Sequence, residues 1–173
     1  MSDRFAHHLR LDQIRDGERF DLFADDAERS AIAARLQLVS LERLEAHVCL
    51  GRTDDIVRAE GRLVAALQQS CVVTGDAVAA HVDEPFTLLF TPEPTEGRPD
   101  EEIELGENDC DVVFYDGAAI DLGTAIADTL ALSLDPYPRS AGAEAALKEA
   151  GVLSEEQASP FAVLAKLRKN GEN

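Results

Sequence analysis

The sequence predicts an α+β fold, in which a mainly antiparallel, curved or barrel-like sheet carries flanking helices. Apolar and polar residues alternate through Ile56–Phe90, so every second side chain lies on one face of a strand. The segment Cys71–Asp76 interrupts this alternation with turn residues, among which Gly75 can adopt a positive φ. Apolar residues recur at helical spacing over 122–132. Together these patterns predict two long strands, folded back on each other and covered by helices.

Shorter patterns predict the other elements. Leu9–Ile14 is expected to form a first edge strand, and Asp26–Leu36 a helix that begins at acidic capping residues. Alternation predicts a strand over Leu38–Leu50, which would precede the central hairpin in an antiparallel meander. A short strand is predicted at Val112–Tyr115, and Asp121 is a good N-cap for the helix that follows it.

Prolines and acidic residues mark the expected boundaries. The second hairpin strand is predicted to end at Phe90, because the prolines within Thr91–Pro94 lack the backbone donor of a ladder. Residues 93–111 contain nine acidic residues and one basic residue, which predicts a mobile acidic loop. Helices within 142–169 are expected to pack peripherally. The whole chain, 1–173, is therefore predicted to be a single domain.

The charge balance restricts the classes of partner. The chain has 34 acidic and 16 basic residues, a net charge of −18, and a sequence pI near 4.4. Such a field repels nucleic-acid phosphates and favours basic partners. DNA binding, and RNA binding by a broad basic face, are therefore disfavoured. A small local basic patch stays open.

Cysteine usage and hydropathy predict a cytoplasmic protein with no membrane partner. The chain has three cysteines, Cys49, Cys71 and Cys110. Their odd number and wide spacing are unlike a disulfide framework or a zinc motif. The first ten residues contain no apolar run of signal-peptide length. No segment approaches the roughly 20 apolar residues of a membrane helix.

Residues that could carry chemistry have simpler explanations. Cys71 has acidic rather than basic neighbours in sequence, so a structural thiol is favoured over a nucleophile. His47 and His81 lie on predicted strands and could face each other, yet no short-spaced pair of metal ligands supports a metal site. The acidic loop lacks the spacing of a calcium loop, and no nucleotide-binding or hydrolase motif is present. No catalytic residue, metal or cofactor is therefore predicted.

The order of several short motifs resembles a known family. The motifs are Gly61-Arg62-Leu63, Ser70-Cys71-Val72-Val73-Thr74-Gly75, Phe86-Thr87-Leu88-Leu89-Phe90, Ile120-Asp121-Leu122-Gly123, the segment Ala127–Pro138 and the segment Ser159–Leu167. Between about Leu38 and Leu167 the chain resembles the YceD family, the large-ribosomal-subunit RNA accumulation proteins, in its alphaproteobacterial version.

This resemblance implies a non-enzymatic role in the accumulation or processing of large-subunit ribosomal RNA. Many members of the family carry a second cysteine three residues after the first, and further cysteines near the proline-rich end. This chain has Thr74 at the first of these places and no cysteine around Pro138–Ser140. A metal or redox role of those cysteines is therefore not transferred to this protein.

Two mechanisms stay open from the sequence. The protein could be an acidic adaptor for a basic ribosomal or rRNA-processing protein, or a local basic patch could bind precursor rRNA directly. A third reading is an enzyme with an unrecognised site. The bases near the family motifs are Arg62, Arg139, Lys166, Arg168 and Lys169. The expected interaction surface comprises Arg62, Cys71, Thr74, Gly75, Asp121, Pro136, Pro138 and Arg139.

Overall fold

A computed structural model of the chain describes residues 3–5, 7–93 and 111–152. The chain divides into two compact units, each formed by two stretches of sequence. The first unit comprises Met1–Gln69 and Ala79–Pro136, and the second comprises Ser70–Val78 and Tyr137–Asn173. The prediction of a single domain stays a prediction.

The described residues form eight strands, three α-helices and one short 3-10 turn. The strands are β1 (Asp3–Arg4), β2 (His8–Arg10), β3 (Glu18–Phe23), β4 (Ser40–Thr53), β5 (Ile56–Ser70), β6 (Ala77–Pro92), β7 (Asp111–Tyr115) and β8 (Ala119–Asp121). The helices are α1 (Asp26–Arg35), α2 (Leu122–Ser133) and α3 (Ala143–Glu149), and the 3-10 turn is Leu11–Gln13.

Six of the strands form one sheet in the order β1-β3-β4-β5-β6-β7. The pairs β3–β4 and β4–β5 are antiparallel, whereas β1 joins β3 and β7 joins β6 in parallel. This confirms a mixed α and β fold with a mostly antiparallel sheet. The order ends at β1 on one side and at β7 on the other, so the described strands form no closed barrel.

The central hairpin agrees with the predicted alternation. Along β5 the buried positions recur at every second residue, from Val57 through Leu63 to Leu67. On β6 the exposed stretch Asp83–Pro85 interrupts the alternation, which then resumes in the same phase with buried Phe86, Leu88 and Phe90. These side chains belong to one core cluster in the first unit. The period of two in the sequence therefore identifies the face of the sheet that is buried.

The two predicted helices begin at side-chain caps. The Asp25 side chain accepts a hydrogen bond from the backbone N–H of Glu28, and the Glu28 carboxylate accepts one from the backbone N–H of Asp25. This reciprocal pair is a capping box, and it starts α1. Asp121 caps α2 through the Thr124 backbone N–H. The apolar stripe of α2 is fully buried at Leu122, Ile126 and Leu130, whereas α1 contributes half-buried residues to the same core.

Three detailed predictions were wrong. The first concerns Leu9–Ile14, which is not one edge strand. His8–Arg10 forms β2, and β2 pairs with β8 in a separate two-stranded sheet. The 3-10 turn follows β2.

The second concerns the predicted end of the hairpin strand at Phe90. The strand β6 continues through Pro92, which pairs with Tyr115 of β7. A proline carbonyl still accepts a hydrogen bond, so one missing donor does not end the ladder.

The histidines His47 and His81 do not lie on neighbouring strands, because β5 separates β4 from β6. His47 instead pairs with the adjacent strand β3, where its Nδ1 lies 2.6 Å from Asp21 Oδ1. The third prediction was wrong because it depended on the order of the strands in the sheet, which the alternation of residues does not determine.

Several predicted features lie outside the described residues. They include most of the acidic loop at 93–111 and the last predicted helix within 153–169, with Cys110 and the three bases Lys166, Arg168 and Lys169. The part of the 142–169 prediction that falls on described residues is the helix α3, in which Ala143 is buried. Its peripheral packing stays a prediction.

The close packing at Gly61 generates a test of the sheet. A Cβ atom at Gly61 would lie 2.9 Å from Phe86 Cζ and would clash with the backbone carbonyl oxygen of His47. We expect Gly61→Ala to lower the free energy of unfolding by about 1–3 kcal/mol, because a backbone neighbour cannot move aside cheaply.

Gly51→Ala is the matched control for this substitution. A Cβ atom there would meet Asp16 Oδ1 at 3.6 Å, an ordinary contact. We expect its effect to stay within about 0.5 kcal/mol in the same urea-unfolding measurement. Equal effects of the two substitutions would contradict the packing of Phe86 on Gly61.

Candidate functional site

The turn between β5 and β6 closes on itself through backbone hydrogen bonds. The Cys71 N–H donates to the Asp76 carbonyl at 2.8 Å, and the Gly75 N–H donates to the Cys71 carbonyl at 2.9 Å. Gly75 has a φ of +78°, which side-chain-bearing residues rarely adopt. The predicted role of this glycine is therefore confirmed, and the turn holds the Cys71 side chain in a defined position.

The Cys71 sulfur accepts hydrogen bonds from two parts of the chain. One comes from the Thr74 backbone N–H at 3.4 Å, and the other comes from the Ser140 backbone N–H at 3.2 Å. Cys71 is only 3% exposed. The thiol therefore ties the turn to the segment that follows Pro138, within the second unit.

Hydroxyl groups and one carboxylate extend this tie. The Thr74 hydroxyl donates to Asp76 Oδ2 at 2.6 Å and lies 3.1 Å from the Ser140 hydroxyl. The Ser140 hydroxyl also approaches Asp76 Oδ2, at 3.4 Å. We call Cys71, Thr74, Asp76 and Ser140 the Cys71 cluster. The Val72 N–H donates to the Pro138 carbonyl at 2.9 Å beside it, so backbone and side chains join the same two segments.

The hydrogen bonds also set the acidity of the thiol. Hydrogen bonds from Thr74, the larger cause, and from Ser140 lower the pKa of Cys71 to about 6. Donors aimed at sulfur stabilise the thiolate, as in other cysteines of low pKa. Nucleophilic catalysis by a cysteine also needs a sulfur that a substrate can reach. Here the donors are backbone and hydroxyl groups around a buried sulfur, an arrangement that suits a structural tie.

The structure brings five of the predicted surface residues into the second unit. Cys71, Thr74 and Gly75 form the turn, and Pro138 is buried where its carbonyl accepts from the Val72 N–H. Arg139 is exposed between Pro138 and Ser140. The expected association of the turn with the proline-rich segment is therefore present in this unit.

The other three predicted residues belong to the first unit. Arg62 on β5 pairs with Asp83 on β6 at 2.6 Å, and this hydrogen-bonded pair raises the pKa of Arg62 and lowers the pKa of Asp83. Asp121 accepts from the Thr124 backbone at 2.9 Å and from its hydroxyl at 2.7 Å, so capping accounts for it. Pro136 is exposed at the end of this unit. Membership of the interaction surface stays a prediction for all eight residues.

The sequence reasoning missed Asp76 and Ser140 as members of the site. Asp76 follows Gly75 in the turn, where a short carboxylate side chain often accepts local hydrogen bonds. That signal could have found Asp76. Ser140 had no comparable signal, because its contact with Thr74 spans 66 residues of sequence.

Among residues 3–5, 7–93 and 111–152, no group of three or more histidine, cysteine, aspartate or glutamate side chains is arranged to hold a metal ion. Likewise, no helix within these ranges is long and apolar enough to cross a membrane.

Residues 59–168 match the family model described as "Large ribosomal RNA subunit accumulation protein YceD". The match covers more than half of the chain and includes the whole Cys71 cluster. The chain belongs to the YceD family. The name of the YceD family implies a role in accumulation of the RNA of the large ribosomal subunit. Neither a curated protein nor a solved structure matches the chain. The alphaproteobacterial type and the cytoplasmic location stay predictions.

The low pKa of Cys71 generates a pH-dependent prediction. A thiol with a folded pKa of about 6 and an unfolded pKa near 8.5 stabilises the fold fully above about pH 8.5 and loses that contribution as the pH falls to about 6. We therefore expect the difference in unfolding free energy between wild type and Cys71→Ser to grow as the pH rises through this range. Urea unfolding at several pH values measures it.

Cys49→Ser is the control for this prediction, because Cys49 lies on β4 outside the Cys71 cluster. It shows the effect of replacing a thiol elsewhere in the fold, with which the pH dependence of Cys71→Ser is compared. A difference between wild type and Cys71→Ser that stays constant with pH would show that the thiol is not stabilised as thiolate in the folded protein.

Proposed function

We propose that this YceD-family protein supports accumulation of large-subunit ribosomal RNA without catalysing a reaction. It acts as an acidic adaptor for a basic ribosomal or rRNA-processing protein, in the cytoplasm where ribosomes assemble. The observation that carries the proposal is the net charge of −18. Ribosome assembly supplies many basic proteins, and complementary charge speeds their encounter with an acidic surface.

The same charge disfavours direct contact with RNA. Affinity for a phosphate backbone comes mainly from lysine and arginine side chains that displace its counterions. Three arginines on β4 and β5 each lie 2.6 Å from a carboxylate oxygen, in the pairs Arg43–Glu45, Arg58–Glu60 and Arg62–Asp83. A paired guanidinium presents little net positive field to a phosphate. These three paired arginines therefore favour a protein partner over rRNA.

The Cys71 cluster supports a non-catalytic role. Its buried sulfur accepts from the backbone of Thr74 and Ser140, and the hydroxyls of these two residues lie within hydrogen-bond distance of each other. These contacts hold two family motifs together within the second unit. A rigid, locally tied surface suits recognition of a partner, because less conformational freedom is lost on binding.

The direct test is affinity capture from cells with the full chain as bait, with and without nuclease. We expect basic ribosomal or processing proteins to stay bound after nuclease and to elute as the salt concentration rises, because exposed charge pairs are screened. Mass spectrometry of the retained proteins, with an unfused tag as control, measures this outcome.

A parallel titration with purified large-subunit rRNA fragments at low salt separates the two mechanisms. The proposal expects no binding of rRNA in the absence of protein. Tight, steeply salt-dependent binding of rRNA alone, with loss of all captured proteins after nuclease, would instead establish direct RNA recognition.

A further inference from the structure

The strand β7 ends the order of the six-stranded sheet. It pairs in parallel with β6, from Asp111 opposite Leu88 to Tyr115 opposite Pro92. Within the described ranges, no strand pairs with its other side. A strand at the end of a sheet has a row of backbone N–H and C=O groups that another extended chain can pair with.

Contacts with the core hold β7 in place. Tyr115 is buried, its hydroxyl donates to the Asp55 carbonyl at 2.6 Å, and its carbonyl accepts from the Glu93 N–H at 3.2 Å. Val113 packs against the core cluster. Phe114 points to the opposite face and is 52% exposed. The strand thus combines a fixed backbone with an exposed aromatic side chain, which suits an anchor for a partner.

Carboxylates outnumber bases around this strand. Asp111 begins it, Asp116 follows it, and the contacts of Tyr115 bring Asp55 and Glu93 to its end. Asp54 precedes Asp55, and its carbonyl accepts from the Arg52 side chain at 2.9 Å. In these contacts five acidic residues stand against the one guanidinium of Arg52, a balance that favours a basic partner.

The composition of β7 is also permissive. Its sequence, Asp-Val-Val-Phe-Tyr, contains neither the proline nor the lysine that often blocks pairing at sheet edges. A second copy of this chain would bring another net charge of −18 to the same edge. An RNA strand would meet repulsion and has no peptide backbone to extend the ladder. The charge and the free backbone groups therefore favour an extended basic polypeptide as the occupant.

We propose that β7 binds an extended lysine- or arginine-rich segment of the partner protein, which adds a strand to the sheet beside Asp111–Tyr115. This inference rests on the proposed adaptor function and specifies the form in which the partner is recognised. Backbone hydrogen bonds supply the pairing, Phe114 contacts an apolar side chain of the segment, and the surrounding carboxylates contact its basic side chains.

The first experiment uses two synthetic peptides and needs no change in the protein. One is an eight-residue peptide of alternating arginine and valine, and the other is the same peptide N-methylated at its four central residues, two of which face β7 in either register. Both have equal charge, but the methylated peptide cannot form a continuous ladder. We expect it to bind at least about tenfold more weakly, since two or more hydrogen bonds are lost.

Nuclear magnetic resonance of the full chain locates the binding. We expect the unmethylated peptide to shift and protect the backbone amides of residues 111–115. Equal affinities of the two peptides, absence of binding at about 1 mM peptide, or shifts confined to other strands would each overturn the inference.

The second experiment tests the aromatic anchor with a matched pair of variants. Phe114→Thr keeps a strand-forming residue at an exposed position and should weaken binding about threefold to tenfold. Phe23→Thr is the control, because Phe23 is 37% exposed on β3, which is paired on both sides, and peptide affinity should not change. Circular dichroism verifies that both variants fold.

Two further outcomes separate this inference from the adaptor function. If captured basic proteins are retained equally by wild type and Phe114→Thr, and the methylated peptide binds as well as its parent, the edge inference fails while the adaptor function stands. Sedimentation should show a monomer. A dimer whose interface protects residues 111–115 would assign the edge to a second copy and overturn the inference.

Discussion

The pairing register of β4 with β5 is the constraint on which the rest of the structure depends. Across this pair, large and small core residues alternate: Leu44 lies opposite Ala65, Ala46 opposite Leu63, Val48 opposite Gly61 and Leu50 opposite Ala59. Each leucine therefore faces a residue that leaves room for it. A slip of one residue would move every one of these side chains to the other face of the sheet. The small residues also explain how the ring of Phe86 reaches Gly61.

Much of this framework could be predicted from the sequence, because it depends on local period. The alternation through β5 and β6, the stripe of α2 and the caps at Asp25 and Asp121 are properties of neighbouring residues. The pairing of β2 with β8 could not be predicted, since three-residue strands are too short to show a period. The parallel partners at the sheet edges were missed for a related reason, because strand order is set by long-range packing.

The candidate site was also predictable only where its signals are local in sequence. The turn at Cys71–Gly75 has local signals, and the family resemblance linked it to the proline-rich segment around Pro138. The tie itself was not predictable, because hydroxyl and thiol hydrogen bonds between distant residues have no sequence pattern. Arg62 and Asp121 were also selected by the resemblance, whereas their observed contacts are a cross-strand ion pair and a helix cap.

The bridge between Cys71 and Ser140 has a consequence for folding kinetics. Its two ends are 69 residues apart in sequence, and closing so long a loop has an entropic cost that local contacts do not share. The hairpin turn can therefore form early, whereas the thiol acquires its second donor only after the intervening chain has condensed. The N–H groups of Val72 and Ser140 both donate between these two segments, so amide exchange at the two residues measures how firmly the bridge is held once it has formed.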